Sequence, residues 1–434
     1  MIEWLKPEDD AYDDVRRVHN GIIDKRPALI ARCQSTADVV EAVKLGRGRG
    51  LELSVRGGGH NVAGKAVTDG GLMIDLSAMQ HVTVDPDART ARAGGGATWA
   101  GYNDATHAHG LATTGGIISS TGVAGLTLGG GLGWLMGAYG LAVDNLVSVE
   151  LVTADGDVVT ADADHEPDLF WALRGGGGNF GVATSLHFRA APMETVLGGL
   201  LAYPLEAAAE VADHYRRAIK GAADEFRADF GLAHGPDGEK LAAMLVCHCG
   251  EPAQAEADVA VLRELAPAAD AVSRIPYPEM NTLVDPMFPK GALNYWKSAF
   301  FSELSDAAMR TMIDAFEVAP SPMCGMQTEM FHGAVTRVAV DATAVPHREP
   351  GFNLILVAQW MDPAETDANI SWAKEAFEAL RPYMADRRYV NYLAADDAGF
   401  VRQAYGPNYD RLVQVKRHYD PENVFHLNFN IDPG

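Results

Sequence analysis

Apolar positions in the first part of the chain recur in short period-two runs broken by glycine and aspartate. LIARC (29–33) and LELSV (51–55) read as strands around a helix from Ser35 to Leu45, with Ser35 and Asp38 as a capping pair at its start. LMIDL (72–76), HVTVD (81–85) and RTARA (89–93) are further short strands, and a helix near 97–109 ends at Gly110. SVELVTADGDVVTA (148–161) is a hairpin pattern, two apolar runs around Asp155-Gly156. Near residue 195 the texture changes. Glycine thins out, and amphipathic helices such as 205–222 alternate with strand-like KLAAMLVCH (240–248), YWKSAFFSEL (295–304) and FNLILVAQW (352–360). That alternation predicts a separate α+β domain. After about residue 382 the chain turns aromatic and amide-rich again, which predicts that its end packs back on the first part.

Composition narrows the function classes. The chain has 434 residues, 47% of them hydrophobic, enough for two or three domains with real cores. Its 58 acidic against 35 basic residues give a net charge of −23, which opposes nucleic acid or anionic lipid as partner. The start, MIEWLKPEDDAYDD, is polar and acidic, and no apolar run approaches the roughly 20 residues of a membrane span. A cytoplasmic protein is expected, and Cys33, Cys247, Cys249 and Cys324 suit a reducing compartment. Cys247-His248-Cys249 lies in a strand pattern without zinc spacing, so no metal site is expected there, nor at His107 and His109.

Two glycine motifs invite nucleotide readings. Gly59 to Lys65 reads GxxxxGK, but Ala66 stands where a P-loop needs a Mg²⁺-liganding hydroxyl, so metal-assisted phosphoryl transfer of the usual kind is not expected. Gly176 to Gly181 reads GxGxxG, yet a helix-like DLFWALR precedes it and a strand-like VATSLHFR follows, the reverse of a dinucleotide fingerprint. Glycine loops at 57–59, 94–96, 115–116, 129–131 and 175–178 together point to a long ligand carrying a diphosphate. Among them His60 is the one histidine, flanked by Gly59 and Asn61 with space for a planar group, and a neutral imidazole is a nucleophile.

SVRGGGHNVAG, GLMIDLSAM, TGVAGLTLGGGLGWLMGAYGLAVDNLVSVELVTADGDVV, DLFWALRGGGGNFGV and AYGPNYDRLVQVKRHYDPENVFHLNFNIDP, in this order, resemble the berberine-bridge-enzyme-like FAD-linked oxidases of the vanillyl-alcohol-oxidase superfamily, nearest to the bacterial members. The resemblance implies an α+β fold: a two-part FAD domain, 1–195 and 382–434, around a substrate domain, 196–381, with an antiparallel sheet. It implies FAD attached covalently through His60 only, because the position of a second, cysteine attachment in relatives is Ile118. Arg56, Gly57, Gly58, Gly59 and Asn61 fall in its pyrophosphate loop. Thr121, Gly122, Gly125 and Gly129 fall in a second FAD segment, with Asp144 and Asn145 beyond it, Val182 at the adenine end, and Asn428 and Asn430 at the flavin.

The implied reaction removes a hydride from a C–H beside an alcohol or amine of a small substrate, with reoxidation by O2 to H2O2. Tyr392 matches a substrate-deprotonating tyrosine, and Lys297 or Arg337 is expected to lower its pKa. Thr121, at a position usually aliphatic in relatives, keeps a dehydrogenase using another electron acceptor as the alternative, and a non-catalytic flavin- or ligand-binding protein is the third reading. Tyr295, Trp296, Phe300, Met330, His332 and Trp360 are the candidate pocket walls.

Overall fold

The computed structural model describes residues 2–434, and three larger sheets and one two-stranded ribbon carry it. The first has the order Glu3–Leu5, Leu29–Arg32, Leu72–Asp75, Leu53–Arg56, and its last three strands are parallel. Parallel neighbours need a crossover, and the Thr36–Gly48 helix supplies one. Its start is capped as expected: Ser35 accepts from the Asp38 amide, and the Asp38 carboxylate accepts from the Gln34 amide at 3.0 Å. The second sheet is antiparallel: Val82–Asp85, Thr90–Gly94, Val182–Arg189, Leu146–Val152, Val158–Asp162. Its outer pair is the hairpin read at 148–161, turning through Gly156 at φ 77°.

The largest sheet has eight antiparallel strands, all between residues 195 and 360. Along its main path run Ala269–Asp270, Thr195–Pro204, Lys240–His248, Phe226–His234, Gly325–Phe331, Gly351–Trp360 and Leu293–Phe301. Side chains alternate between its faces. Leu354, Leu356, Ala358 and Trp360 enter one core together with Val211 and Tyr215 of the Ala208–Ala218 helix, Met309 and Phe316 of Asp306–Glu317, and Trp372 of Thr366–Leu380. Each fully buried leucine there contributes roughly 1.5–3 kcal/mol over an exposed one. The in-between residues, Asn353, Ile355, Val357 and Gln359, occupy the other face, toward the glycine loops.

The chain's end joins the first part. Leu412, Val415, Phe429 and Ile431 share a core with Leu169 and Phe180, and Phe425 packs with Val152 and Val182. The Lys416 ammonium, fully buried, donates to Asn179 O (2.7 Å), Phe425 O (3.1 Å) and Asp420 Oδ2 (2.6 Å). No helix among the described residues is long and apolar enough to cross a membrane.

Candidate active site

His60 leaves the Leu53–Arg56 strand through Gly59, which sits at φ 72° where L side chains are strained. Gly58 and Gly122 touch: a Cβ on Gly58 would lie 2.2 Å from Gly122 N. The first glycine loop is thus packed against the second, and the turn before Gly122 meets His60 through two hydroxyls. Ser120 Oγ lies 2.9 Å from His60 Nε2, and Thr121 Oγ1 lies 3.4 Å from Nδ1. Asp285 fixes that turn from the other half of the chain, accepting from Ser119 N (2.8 Å) and Ser119 Oγ (2.5 Å). Burial, the neighbouring His19 and Lys290 push the His60 imidazole down to about 3, so it is neutral at ordinary pH.

The residues present fit a cofactor with a diphosphate. Among the described residues, the amides of Gly58, Gly59, His60 and Asn61 meet no protein acceptor, and such successive N–H groups bind anions. Asn430 Oδ1 is likewise buried without a partner, while Asn428 Nδ2 donates to Gly178 O at 2.9 Å. Gly125 has open space around it.

Other glycines answer to the protein itself. A Cβ on Gly96 would lie 1.7 Å from Leu76 O, on Gly95 2.3 Å from Ala183 O, on Gly115 2.2 Å from the Trp99 ring, and on Gly129 2.1 Å from the Asn391 amide. Fewer of these loops are therefore free for a ligand than their number in the sequence implies. Arg56 donates to Val15 O and pairs with Asp75. The side chains of Asp144 and Asn145 are engaged within the protein. The Asp144 carboxylate is held by Arg348 at 2.8 and 2.9 Å and accepts from Leu141 N, and Asn145 Nδ2 donates to Tyr139 O and Leu141 O. Val182 is a core residue of its strand.

Tyr392 ends a short helical turn, Val390–Tyr392, anchored on the second glycine segment. Tyr389 Oη accepts from Gly131 N (2.9 Å) and from Asn391 Nδ2 (2.9 Å), and the same amide donates to Leu126 O (3.0 Å). The Tyr392 ring meets Trp296 and Tyr389 edge-on at 6.1 and 4.9 Å. Its hydroxyl donates to Glu329 Oε1 at 3.1 Å, and Asn353 Nδ2 donates to Glu329 Oε2 at 2.6 Å. Behind them Arg227, 1% exposed, pairs with Asp229 (2.5 Å), and its guanidinium stands 3.9 Å from Glu329. Burial outweighs the attraction of Arg227 and, with the Asp229 charge, pushes Glu329 up to about 7. Burial and Glu329 hold the Tyr392 phenol well above its ordinary value, against the pull of Arg227.

Lys297 is not beside Tyr392. Odd-numbered residues of the Leu293–Phe301 strand face the helices, so Lys297 Nζ binds Asp397 (2.5 Å) and Asp396 (3.0 Å) and lies over the Tyr295 ring. Arg337 pairs with Asp224 at the surface. The cation near Tyr392 is Arg227. Among the proposed pocket walls, Trp296 and Phe300 take the face toward the glycine loops, whereas Tyr295, Met330 and Trp360 belong to the helix-side core. His332 rests against Gly137 and Ala223 O. Trp296, Ile355 and Val357 form one buried apolar cluster with Val62, two residues beyond His60, and Phe288 and Tyr392 pack against it. Arg227, Asp229 and Glu329 were missed; their signal is a pair of polar or charged residues two apart in a largely apolar strand, Arg227 and Asp229 in FRADFGLAH and Gln327 and Glu329 in GMQTEMF.

A family profile described as an FAD binding domain matches residues 27–162, and one described as berberine and berberine like matches 388–432. Together they take in the His60 loop, the Ser119–Gly129 segment, Tyr392 and the C-terminal amides, which sets the class as FAD-linked oxidoreductase. The (R)-6-hydroxynicotine oxidase of Paenarthrobacter nicotinovorans is 34% identical, across 99% of this chain and 96% of its own. A crystal structure of 6-hydroxy-D-nicotine oxidase from Arthrobacter nicotinovorans superposes with TM-score 0.93 at 31% identity, over 100% of this chain and 98% of that one. Berberine bridge enzyme from Eschscholzia californica shares the fold, with TM-score 0.88 at 21% identity over 100% of this chain and 97% of its own. The chain belongs to the berberine-bridge-enzyme-like family of FAD-linked oxidoreductases.

Proposed function

We propose that the protein is an oxidase of small organic alcohols or amines, carrying FAD attached covalently through His60 alone. In this reading the two chain ends, 1–195 and 382–434, hold the cofactor, and residues 196–381 bind the substrate. His60, Gly57–Asn61, the Thr121–Gly129 segment, Asn428 and Asn430 are the residues that hold FAD. Bound there, FAD supplies a two-electron acceptor for hydride, and O2 takes the electrons onward.

The observation that carries the reading is the Tyr392–Glu329 hydrogen bond beside the apolar cluster that includes Val62 of the His60 loop. Tyr392 Oη receives the proton of the substrate O–H or N–H and passes its own to Glu329 Oε1 over 3.1 Å. A carboxylate near 7 takes that proton at neutral pH, so the phenol never has to stand as a free phenolate. Arg227 and Asn353 steady Glu329 as its charge changes, and Trp296, Ile355 and Val357 keep water from the reacting C–H.

The test begins with the absorption spectrum of the purified protein and of its acid-precipitated pellet. Flavin that stays with the pellet, and leaves it in His60→Ala, supports the covalent reading; flavin wholly in the supernatant refutes it. Anaerobic bleaching by an alcohol or amine panel, followed by recovery and H2O2 on admitting air, supports the oxidase. Bleached flavin that ignores air but recovers with a quinone makes the protein a dehydrogenase.

A further inference from the structure

His19, 7% exposed, lies far from His60 in the chain, yet the two imidazoles stack with centroids 4.0 Å apart and planes 22° from parallel. The contact is built from main chain on both sides. His19 N donates to Gly59 O (3.0 Å), and His19 O accepts from Gly291 N (3.0 Å), so the residue is clamped between the glycine loop and the substrate-side chain. Asn20 extends the clamp, with Nδ2 donating to Val62 O (2.8 Å) and Asn294 O (2.9 Å) and Oδ1 accepting from Asn294 N (2.9 Å). A Cβ on Gly21 would meet Gly291 O at 2.1 Å, so the corner closes only with glycine there. His19 Nε2 is buried without any partner, which disfavours a charged ring at this place.

We infer that His19 is a positioning residue for flavin attachment: its stacked ring fixes the plane of His60 and so aims the nitrogen that bonds the cofactor. The inference rests on the covalent reading above. A ring nitrogen attacks along a lone pair lying in the ring plane, and holding that plane confers the advantage of a pre-oriented reactant. In the step, an N–C bond forms between His60 and the flavin 8-methyl carbon as a C–H bond of that methyl breaks. The methyl and the imidazole each release one proton, and the two electrons, left on the flavin, pass with those protons to O2, giving H2O2. Burial, together with the neighbouring His19 and Lys290, keeps His60 the unprotonated nucleophile.

The experiment uses the full chain produced free of flavin, supplied with FAD in air, and follows both total bound flavin and its acid-stable fraction. His19→Ala is expected to keep flavin bound while attachment slows at least tenfold; His19→Phe, which retains a stacked plane without nitrogens, is expected to stay within threefold of native. Attachment at native rate in His19→Ala overturns the inference, as does a His19→Phe as slow as the alanine variant. Should His19→Ala lose all flavin, His19→Phe decides alone by the same criterion. Failure of the covalent reading has a different signature: native protein itself then has no acid-stable flavin.

Discussion

Glu329 has both carboxylate oxygens engaged, one by Tyr392 and one by Asn353, in a position 1% exposed to solvent. Its raised pKa, about 7 against an ordinary 4.5, has two consequences of opposite kind. For catalysis, kcat/KM is expected to rise with pH through an apparent value near 7, and Glu329→Gln to lose that limb with a fall of about 10²–10⁴-fold. Tyr392→Phe removes the relay and is expected to fall comparably, with flavin content unchanged. For stability, the native state keeps a proton that the unfolded chain releases near 4.5, so stability falls as pH climbs from 4.5 to 7. Glu329→Gln lacks that contribution. Urea midpoints measured across this window check it, and parallel curves for the two proteins would sink the assignment.

At the scale of elements, the Tyr409–Tyr419 helix matters through one buried ammonium. Lys416→Met leaves the Asp420 carboxylate buried and unpaired and removes the donor to Asn179 O and Phe425 O. Breaking a buried pair from one side costs about 3–5 kcal/mol, expected as a lower urea midpoint at unchanged slope. Asn179 in turn binds Phe429 O and Ile431 N, so the stretch carrying Asn428 and Asn430 loosens too, and noncovalent flavin retention should fall with it. Legibility in the sequence varied by element for physical reasons. Leu29–Arg32, Leu72–Asp75 and the 148–161 hairpin were readable because local period-two patterning and a Gly156 turn specify them. Phe226–His234 and Gly325–Phe331 were passed over because Arg227, Asp229 and Glu329 break the apolar alternation, although in a strand they simply mark its polar face. The expected pairing of Lys297 with Tyr392 fails because composition identifies a strand before it shows which alternate set of side chains meets Tyr392, and Lys297 binds Asp396 and Asp397 instead. The His19–His60 stack had no local signal at all, since only tertiary folding brings the acidic N-terminal segment to the loop.

For the whole molecule, the candidate site has no single owner. His60 comes from the first sheet, Glu329 from the eight-stranded one, and Tyr392 from the segment leading to the chain's end, with Asp285–Ser119 and Asn20–Asn294 joining the parts. A cofactor lying among such parts is a ligand of the folded state alone, so its binding free energy adds to folding stability by mass action. Covalent attachment changes the form of that dependence. If FAD is bonded to His60, as proposed, the cofactor remains on the unfolded chain, and added free FAD is expected to leave the midpoint where it was. In His60→Ala the same cofactor is exchangeable, and stability should rise with free FAD, by about 2.7 kcal/mol at a hundredfold excess over Kd. Thermal melts of both proteins over a series of FAD concentrations measure this directly. A flat native series beside a climbing His60→Ala series is the expected result. Two flat series at low flavin occupancy would mean that the parts hold together without FAD and that the cofactor is no element of the fold's stability.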